Sequence, residues 1–287
     1  MSKDAPPFSL YGDLMALDSR INTDIYNFLS DTMLLACKEL NSRQGAALKV
    51  FLKPDTSLVT EADLASEKVI IQRIREQFPA DDIYSEEAGR SSAAAKPGTF
   101  VWVIDPLDGT TNYANGYPFY CISIGRGRFR ADSSIEMLHG GVFDAPRQRF
   151  YYAGLGEGAY VDGQPIKVAA ARDFSQCFLV AGFYYMKGQS LRAEIERFAK
   201  VSDRCQSIRR DGAAALDLAM VAEGIYDAFW EAGLQPWDVA AGSLLVAEAG
   251  GVVSNYRLPD GTAYDIQGQG IIAGSPSATG EIVALLW

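Results

Sequence analysis

The 287-residue chain holds one histidine, His139, and that scarcity removes whole chemistries. No H-E-x-x-H pair or histidine-rich ligand set can be built. A Ser-His-Asp triad would have to recruit His139, which lies in the apolar stretch Met137-Leu138-His139-Gly140-Gly141-Val142-Phe143 and reads as a structural strand histidine. Cysteine is sparse as well. Cys37, Cys121, Cys177 and Cys205 stand far apart with no C-x-x-C pair, so neither a zinc knuckle nor a dithiol redox site is indicated. Reduced thiols fit a cytoplasmic protein. No apolar run approaches the ~20 residues of a membrane-spanning helix. The opening Met1–Asp13 stretch lacks a charged-then-apolar leader pattern. A cytoplasmic location without a membrane partner is therefore expected. Positive charge is the last shortage: 26 Lys and Arg face 36 Asp and Glu, for a net charge of −10. Direct nucleic-acid binding needs a basic footprint, so none is expected. Small phosphorylated ligands stay open, provided that metal cations supply the missing charge.

What is present is an ordinary globular composition, 48% hydrophobic and 22% charged. Apolar residues at helical spacing predict an amphipathic helix over 21–40. Residues 44–56, with Gly45, Lys49, Lys53 and Pro54, read as a loop or loose hairpin. A second helix follows, with Leu64, Ile71, Ile74 and Phe78 on one face, and ends at Pro79. Residues 88–99 read as a surface loop. The run Phe100-Val101-Trp102-Val103-Ile104 is continuously apolar, as in a strand buried on both faces. Strands are also predicted at 119–124, 138–143, 148–153 and 158–162, with Asp162-Gly163 as a hairpin turn. From about residue 171 strands and helices alternate: strands at 178–181, 205–208, 226–230, 252–254 and 270–273, helices at 189–201, 212–223 and 238–249. The fold class expected is a two-lobe protein, with an N-terminal α+β lobe (1–170), a C-terminal α/β lobe (171–287) and an acidic cleft between them.

Five acidic positions stand beside element boundaries. Thr60-Glu61-Ala62-Asp63, taken alone, is a helix capping box. Glu86 and Glu87, taken alone, are solvated loop acids. Asp238 in Pro236-Trp237-Asp238 has the look of a helix cap, and Glu231 of a surface residue just past a strand. Trp102-Val103-Ile104-Asp105-Pro106-Leu107-Asp108-Gly109-Thr110-Thr111 is different. Two aspartates leave the carboxyl end of a buried strand with a proline between them, where ligands of α/β structures gather. Carboxylates so placed can converge on hard cations such as Mg²⁺. Gly109 permits close backbone approach, and Thr110 and Thr111 open a helix whose amides suit an anion.

Residues 101–113, V-W-V-I-D-P-L-D-G-T-T-N-Y, together with W-D-V-A-A-G at 237–242 and E-A-G-G at 248–251, resemble the paired signatures of the inositol monophosphatase family, within the Mg²⁺-dependent, lithium-sensitive phosphatases. Val59–Asp63, Glu86-Glu87 and Arg209–Ala215 fit its remaining motifs, and the resemblance spans roughly residues 24–275. It implies a layered α-β-α-β-α sandwich of the sugar phosphatase type, usually a homodimer. Glu86, Asp105 and the Leu107 carbonyl would hold one Mg²⁺, and Asp105, Asp108 and Asp238 a second. A third, weaker ion would sit near Glu86. Asp63 and Thr110 would polarise the attacking water. The Gly109 and Thr110 amides would contact phosphate, and Gly212, Ala213, Ala214 and Glu231 would face the alcohol. Ser57 stands where the family often has Asp, with Asp55 two residues earlier, and Ser85-Glu86-Glu87-Ala88 stands in place of Gly-Glu-Glu-Ser. Neither departure removes a ligand. The implied reaction is hydrolysis of a phosphate monoester on a small polyol, inositol 1-phosphate first. Fructose-1,6-bisphosphate, histidinol phosphate, NADP and 3′-phosphoadenosine 5′-phosphate remain alternatives on the same scaffold. So does a binding role with the transcription machinery in which catalysis is incidental.

Overall fold

The computed structural model describes residues 17–45, 49–52, 58–92, 96–183, 188–256, 263–268 and 270–287. Asp55, Ser57 and most of the 44–56 segment lie outside these residues, as do Ala93–Ala95 of the 88–99 loop.

The chain opens with α1 (Thr23–Arg43), capped by the Asn22 side chain, which accepts from the Ile25 amide. A short hairpin, β1 (Val50–Leu52) and β2 (Leu58–Thr60), leads into α2 (Glu61–Gln77). Next come β3 (Asp82–Ser85), β4 (Gly89–Arg90) and the nine-residue β5 (Phe100–Asp108). One turn of helix, α3 (Thr110–Ala114), separates β5 from the meander β6 (Cys121–Phe129), β7 (Ile135–Asp144), β8 (Arg149–Gly154), β9 (Gly158–Val161) and β10 (Gln164–Pro165). These strands form an eight-stranded sheet in the order β10-β9-β8-β7-β6-β5-β3-β4. Among the described residues its only parallel neighbours are β3 and β5.

The second sheet is built from β11 (Phe178–Ala181), β12 (Ser207–Arg209), β13 (Ala228–Ala232), β14 (Val252–Asn255) and β15 (Gly270–Gly274). Its order is β12-β11-β13-β15-β14. The first three strands run parallel and β15 is antiparallel to both neighbours. Helices α4 (Gln189–Ser202), α5 (Ala214–Ala222), α6 (Pro236–Glu248) and α7 (Pro276–Leu286) complete the chain.

The alternation of side chains along each strand sorts these elements into five layers. Trp102 and Ile104 of β5 join Ile122, Ile124, Phe143 and Tyr152 under α1 and α2. Val101 and Val103 point the other way, into a core shared with α5, α6 and Phe229, Ile271 and Ala273 of the second sheet. The far face of that sheet, with Leu179, Trp230 and Ile272, packs against Val201 of α4 and Ile282 of α7. The layers therefore run α-β-α-β-α. The central helices α5 and α6 are buried against both sheets, and every residue of α5 is buried.

Several expectations shift. Strand β3 and helix α7 carry no prediction, and β6 and β7 extend further than their apolar centres. Leu64 is exposed rather than inward-facing. The inward face of α2 is Ala62, Asp63, Ser66, Glu67, Ile70 and Ile74, polar at its N-terminal half. His139 is a strand residue of β7, with its Nε2 3.4 Å from Glu157 Oε1. All four cysteines are free.

Candidate active site

Strand β5 ends in an irregularity. Asp105 pairs with Ser123 and Asp108 with Cys121, so one extra residue is accommodated between the two aspartates. Pro106 tolerates this because a bulge needs no N–H from it. Asp105 Oδ1 accepts from the Leu107 amide at 3.0 Å, which folds the turn back on itself. Gly109 then takes φ 89°. A Cβ there would stand 3.1 Å from the Phe119 carbonyl and 3.2 Å from the Cβ atoms of Ala213 and Tyr120, so the turn closes only on glycine.

Asp63, on the first turn of α2, is fully buried and uses both oxygens. Its Oδ2 accepts from the Thr60 amide at 2.8 Å and from the Thr60 hydroxyl at 2.6 Å, closing the helix cap. Its Oδ1 accepts from the Thr110 hydroxyl at 2.8 Å. The helix cap and the contact with Thr110 are thus made by separate oxygens of one carboxylate. Thr110 Oγ1 also lies 3.0 Å from the Leu107 carbonyl, but its single proton can serve only one acceptor at a time. Burial raises the pKa of Asp63, with Glu86 adding to the effect.

Asp108 is met by the other half of the chain. Its Oδ2 accepts from the Ala215 amide at 2.7 Å, in the first turn of α5, and the Cys121 thiol lies 3.7 Å from the same oxygen. Asn112 makes a second junction, its Nδ2 donating to the Phe119 carbonyl at 2.7 Å and to the Asp211 carbonyl at 2.8 Å. Asp238 sits in the first turn of α6, its Oδ2 accepting from the Gln235 amide at 2.7 Å. Glu86 follows β3, and its amide extends the parallel pairing by donating to the Ile104 carbonyl at 3.1 Å.

These acids share one electrostatic neighbourhood. Burial drives the Asp105 carboxyl well above the usual range, and Glu86, Asp108 and Asp238 push it further. Asp108 is raised to about 6 by burial and Glu86, against the pull of the Ala215 and Ala214 amides. Asp238 is pushed well up by burial, Glu86 and Asp108. The charges acting most on Asp105 and Asp238 are all acidic, so the cluster is short of positive charge. Among the described residues no three acids, histidines or cysteines are already drawn together as a metal cage. That spacing fits mutual repulsion: three carboxylates each turn one oxygen to a backbone amide while sharing a common field. The donors are all hard oxygens, which suits Mg²⁺.

Of the residues expected to face an alcohol, Ala213 and Ala214 open α5 and Gly212 precedes them. Glu231 lies within β13 rather than past its end, and it is buried, not a surface residue. Burial and Asp108 lift its carboxyl to about 8, with Arg210 opposing. A Cβ at Gly182 would fall 1.7 Å from Glu231 Oε2, so the Glu231 carboxyl rests on bare backbone.

Sequence reasoning missed the residues that hold these turns. Ser66 Oγ donates to the Pro106 carbonyl at 2.8 Å. Glu67 Oε1 accepts from the Ser85 hydroxyl and from the Glu87 and Ala88 amides. The available signal was spacing: Ser66 and Glu67 follow Asp63 by three and four residues, on one helix face.

Comparison with known proteins places this geometry in context. Residues 22–287 match the model of the inositol monophosphatase family. The Nus factor SuhB of Escherichia coli (strain K12) is 38% identical over 238 residues, covering 83% of this chain and 85% of that protein. An inositol-1-monophosphatase of Synechocystis is 38% identical over 228 residues, covering 79% of this chain and 77% of its own length. The crystal structure of extragenic suppressor protein suhB from Bartonella henselae superposes with a TM-score of 0.82 at 30% identity, over 92% of this chain and 98% of that one.

Proposed function

The chain belongs to the inositol monophosphatase family, and from that premise we propose that it hydrolyses a phosphate monoester on a small polyol, inositol 1-phosphate, with Mg²⁺ as cofactor. The observation that carries the reading is the divided Asp63 carboxylate, one oxygen on the helix cap and the other on Thr110. With its proton directed at Asp63 Oδ1, Thr110 Oγ1 offers lone pairs to a water. As that water attacks phosphorus, its proton passes to Thr110 Oγ1 and Thr110's own proton moves to Asp63 Oδ1. A raised pKa equips Asp63 to accept it. The phosphorus–oxygen ester bond breaks, the departing alkoxide takes a proton from a second water, and the products are the free alcohol and inorganic phosphate.

Glu86, Asp105, the Leu107 carbonyl, Asp108 and Asp238 are the groups that would hold two Mg²⁺ ions, with Asp105 shared and a third ion near Glu86. Bound Mg²⁺ would offset the dianionic phosphate, acidify a water and stabilise the departing alkoxide. The amides of Gly109 and Thr110 would receive phosphate oxygens. Gly212, Ala213 and Ala214 leave room for a ring, and the Glu231 carboxyl can hydrogen-bond with two vicinal hydroxyls. The assembly we take to be a cytoplasmic, lithium-sensitive homodimer.

Turnover measured over a panel of phosphorylated metabolites tests the reading. Inositol 1-phosphate should lead in kcat/KM. A tenfold preference for 3′-phosphoadenosine 5′-phosphate or fructose-1,6-bisphosphate would overturn the substrate while sparing the metal chemistry. The name Nus factor on the Escherichia coli relative favours a second reading, binding to the transcription machinery. Retention of RNA polymerase on the immobilised protein, with no turnover of any phosphate ester, would favour it.

A further inference from the structure

The inward face of α2 touches both segments that carry the cation-binding acids of the N-terminal half. Ser66 Oγ donates to the Pro106 carbonyl at 2.8 Å, inside the Asp105–Asp108 turn. Glu67, 7% exposed, gathers three donors on its Oε1: the Ser85 hydroxyl, the Glu87 amide at 3.1 Å and the Ala88 amide at 2.9 Å. Those donors flank Glu86 on both sides. The Glu86 amide donates to the Ile104 carbonyl of β5 at 3.1 Å. Without Glu67 the loop after β3 would leave a buried hydroxyl and two amides unpaired, a strong reason for it to rearrange.

We propose that Glu67 is a positioning residue for divalent cation binding. It pins the Ser85–Ala88 loop so that the Glu86 carboxylate meets Asp105 and the Leu107 carbonyl, while Ser66 one residue earlier pins the facing turn. This rests on the Mg²⁺-dependent reading above. Glu67 touches neither substrate nor cation; it acts through Glu86. Groups that orient a metal ligand from behind typically govern 10–100-fold in metal affinity.

The test is Mn²⁺ binding to the substrate-free protein, followed by electron paramagnetic resonance, beside the Mg²⁺ concentration giving half-maximal turnover. Glu67→Ala should weaken both by roughly 10–100-fold, while kcat at saturating Mg²⁺ stays within a fewfold of wild type. Glu67→Gln, which keeps an acceptor oxygen at that place, should recover most of the affinity. Ser85→Ala, which removes one of the three donors, should give a smaller loss. Glu76→Ala, an exposed residue of the same helix, should leave both readouts unchanged. A folded Glu67→Ala protein with wild-type Mn²⁺ affinity would overturn the proposal. If Glu67→Ala does not fold, Ser85→Ala decides, and wild-type affinity in it is the overturning result. Absence of Mn²⁺ binding by the wild type would instead defeat the underlying Mg²⁺ reading, a distinct outcome.

Discussion

Helices α2 and α6 begin with the same device and put it to different uses. In each, an aspartate in the first turn closes the cap through Oδ2, on the Thr60 amide in α2 and on the Gln235 amide in α6. The difference lies in what surrounds the rest of the carboxylate. Asp63 is fully buried and gives its other oxygen to a hydroxyl, Thr110. Asp238 looks toward other acids, with Glu86 and Asp108 raising its pKa beyond what burial does. One neighbourhood suits the handling of a proton and the other the holding of a cation. A capping residue and a working residue are therefore not rival descriptions, because a carboxylate has two oxygens.

Variants can break this comparison from both sides, and the cation side should give the larger effect. Asp238→Asn and Asp105→Asn should each lower kcat by about 10³-fold or more, since several kcal/mol of charge stabilisation depend on the ions. In both variants Mg²⁺ should no longer raise the melting temperature, as it should for the wild type through binding the folded state. Wild-type turnover in either variant, or undiminished wild-type activity in EDTA, would defeat the assignment. On the proton side, Asp63→Ala and Thr110→Ala should each cost roughly 10²-fold in kcat with KM and the Mg²⁺-dependent melting shift preserved. The double variant should lose little more than the worse single one, because the pair acts as a unit. If Asp63→Ala abolishes the melting shift, the two helices do the same job and the contrast fails.

Smaller effects sharpen the picture. Glu231→Gln should raise KM for inositol 1-phosphate about tenfold, the scale of one lost hydroxyl contact, and barely alter hydrolysis of an aryl phosphate. The same variant has a pH signature. Glu231 titrates near 8 in the folded chain against an ordinary 4.5, so between these values the folded state holds a proton that the unfolded state has released. Stability of the metal-free protein should thus fall as pH rises across that window, and Glu231→Gln should lessen the slope. An unchanged slope in denaturation curves from pH 5 to 8 would contradict the burial of this carboxyl. The smallest change is at the cap itself: Thr60→Ala should cost about 1 kcal/mol of stability, measured by urea unfolding.

Much of this was legible in the sequence for definite reasons. The apolar run 100–104 is long enough to mark β5, and α1 shows a clean helical stripe. Strand β3 escaped because Asp82-Ile83-Tyr84-Ser85 is short and half polar, paired in parallel with a strand that supplies most of the burial. Helix α7 escaped although Ser275 caps it and Pro276 occupies its first turn, a signal that was there to be used. The start of α2 was misread because Leu64 looks like core, whereas the first two turns of the helix pack Asp63, Ser66 and Glu67 inward. The acids of the site were visible as motifs. Glu67, Ser66 and Asn112 were not, because most of their partners are backbone groups, and backbone groups leave no trace in residue identity.

The Asn112 amide reaches from α3 to the carbonyls of Phe119 and Asp211, and so to the threshold of α5. Beside it, Ala215 holds Asp108, and Glu223 at the far end of α5 takes a two-pronged pair from Arg149 at 2.7 and 2.9 Å with Tyr151 alongside. A hinge between the two sheets would have to sever all of these together and tear a common core. If the proposed reaction holds, substrate entry is then expected to proceed without the two sheets swinging apart in the microsecond-to-millisecond regime of domain closure. Admission and release would then fall to local rearrangement at the rim, on the faster timescale of loops. Solvent viscosity, which drags on swinging bodies, should then leave turnover almost untouched.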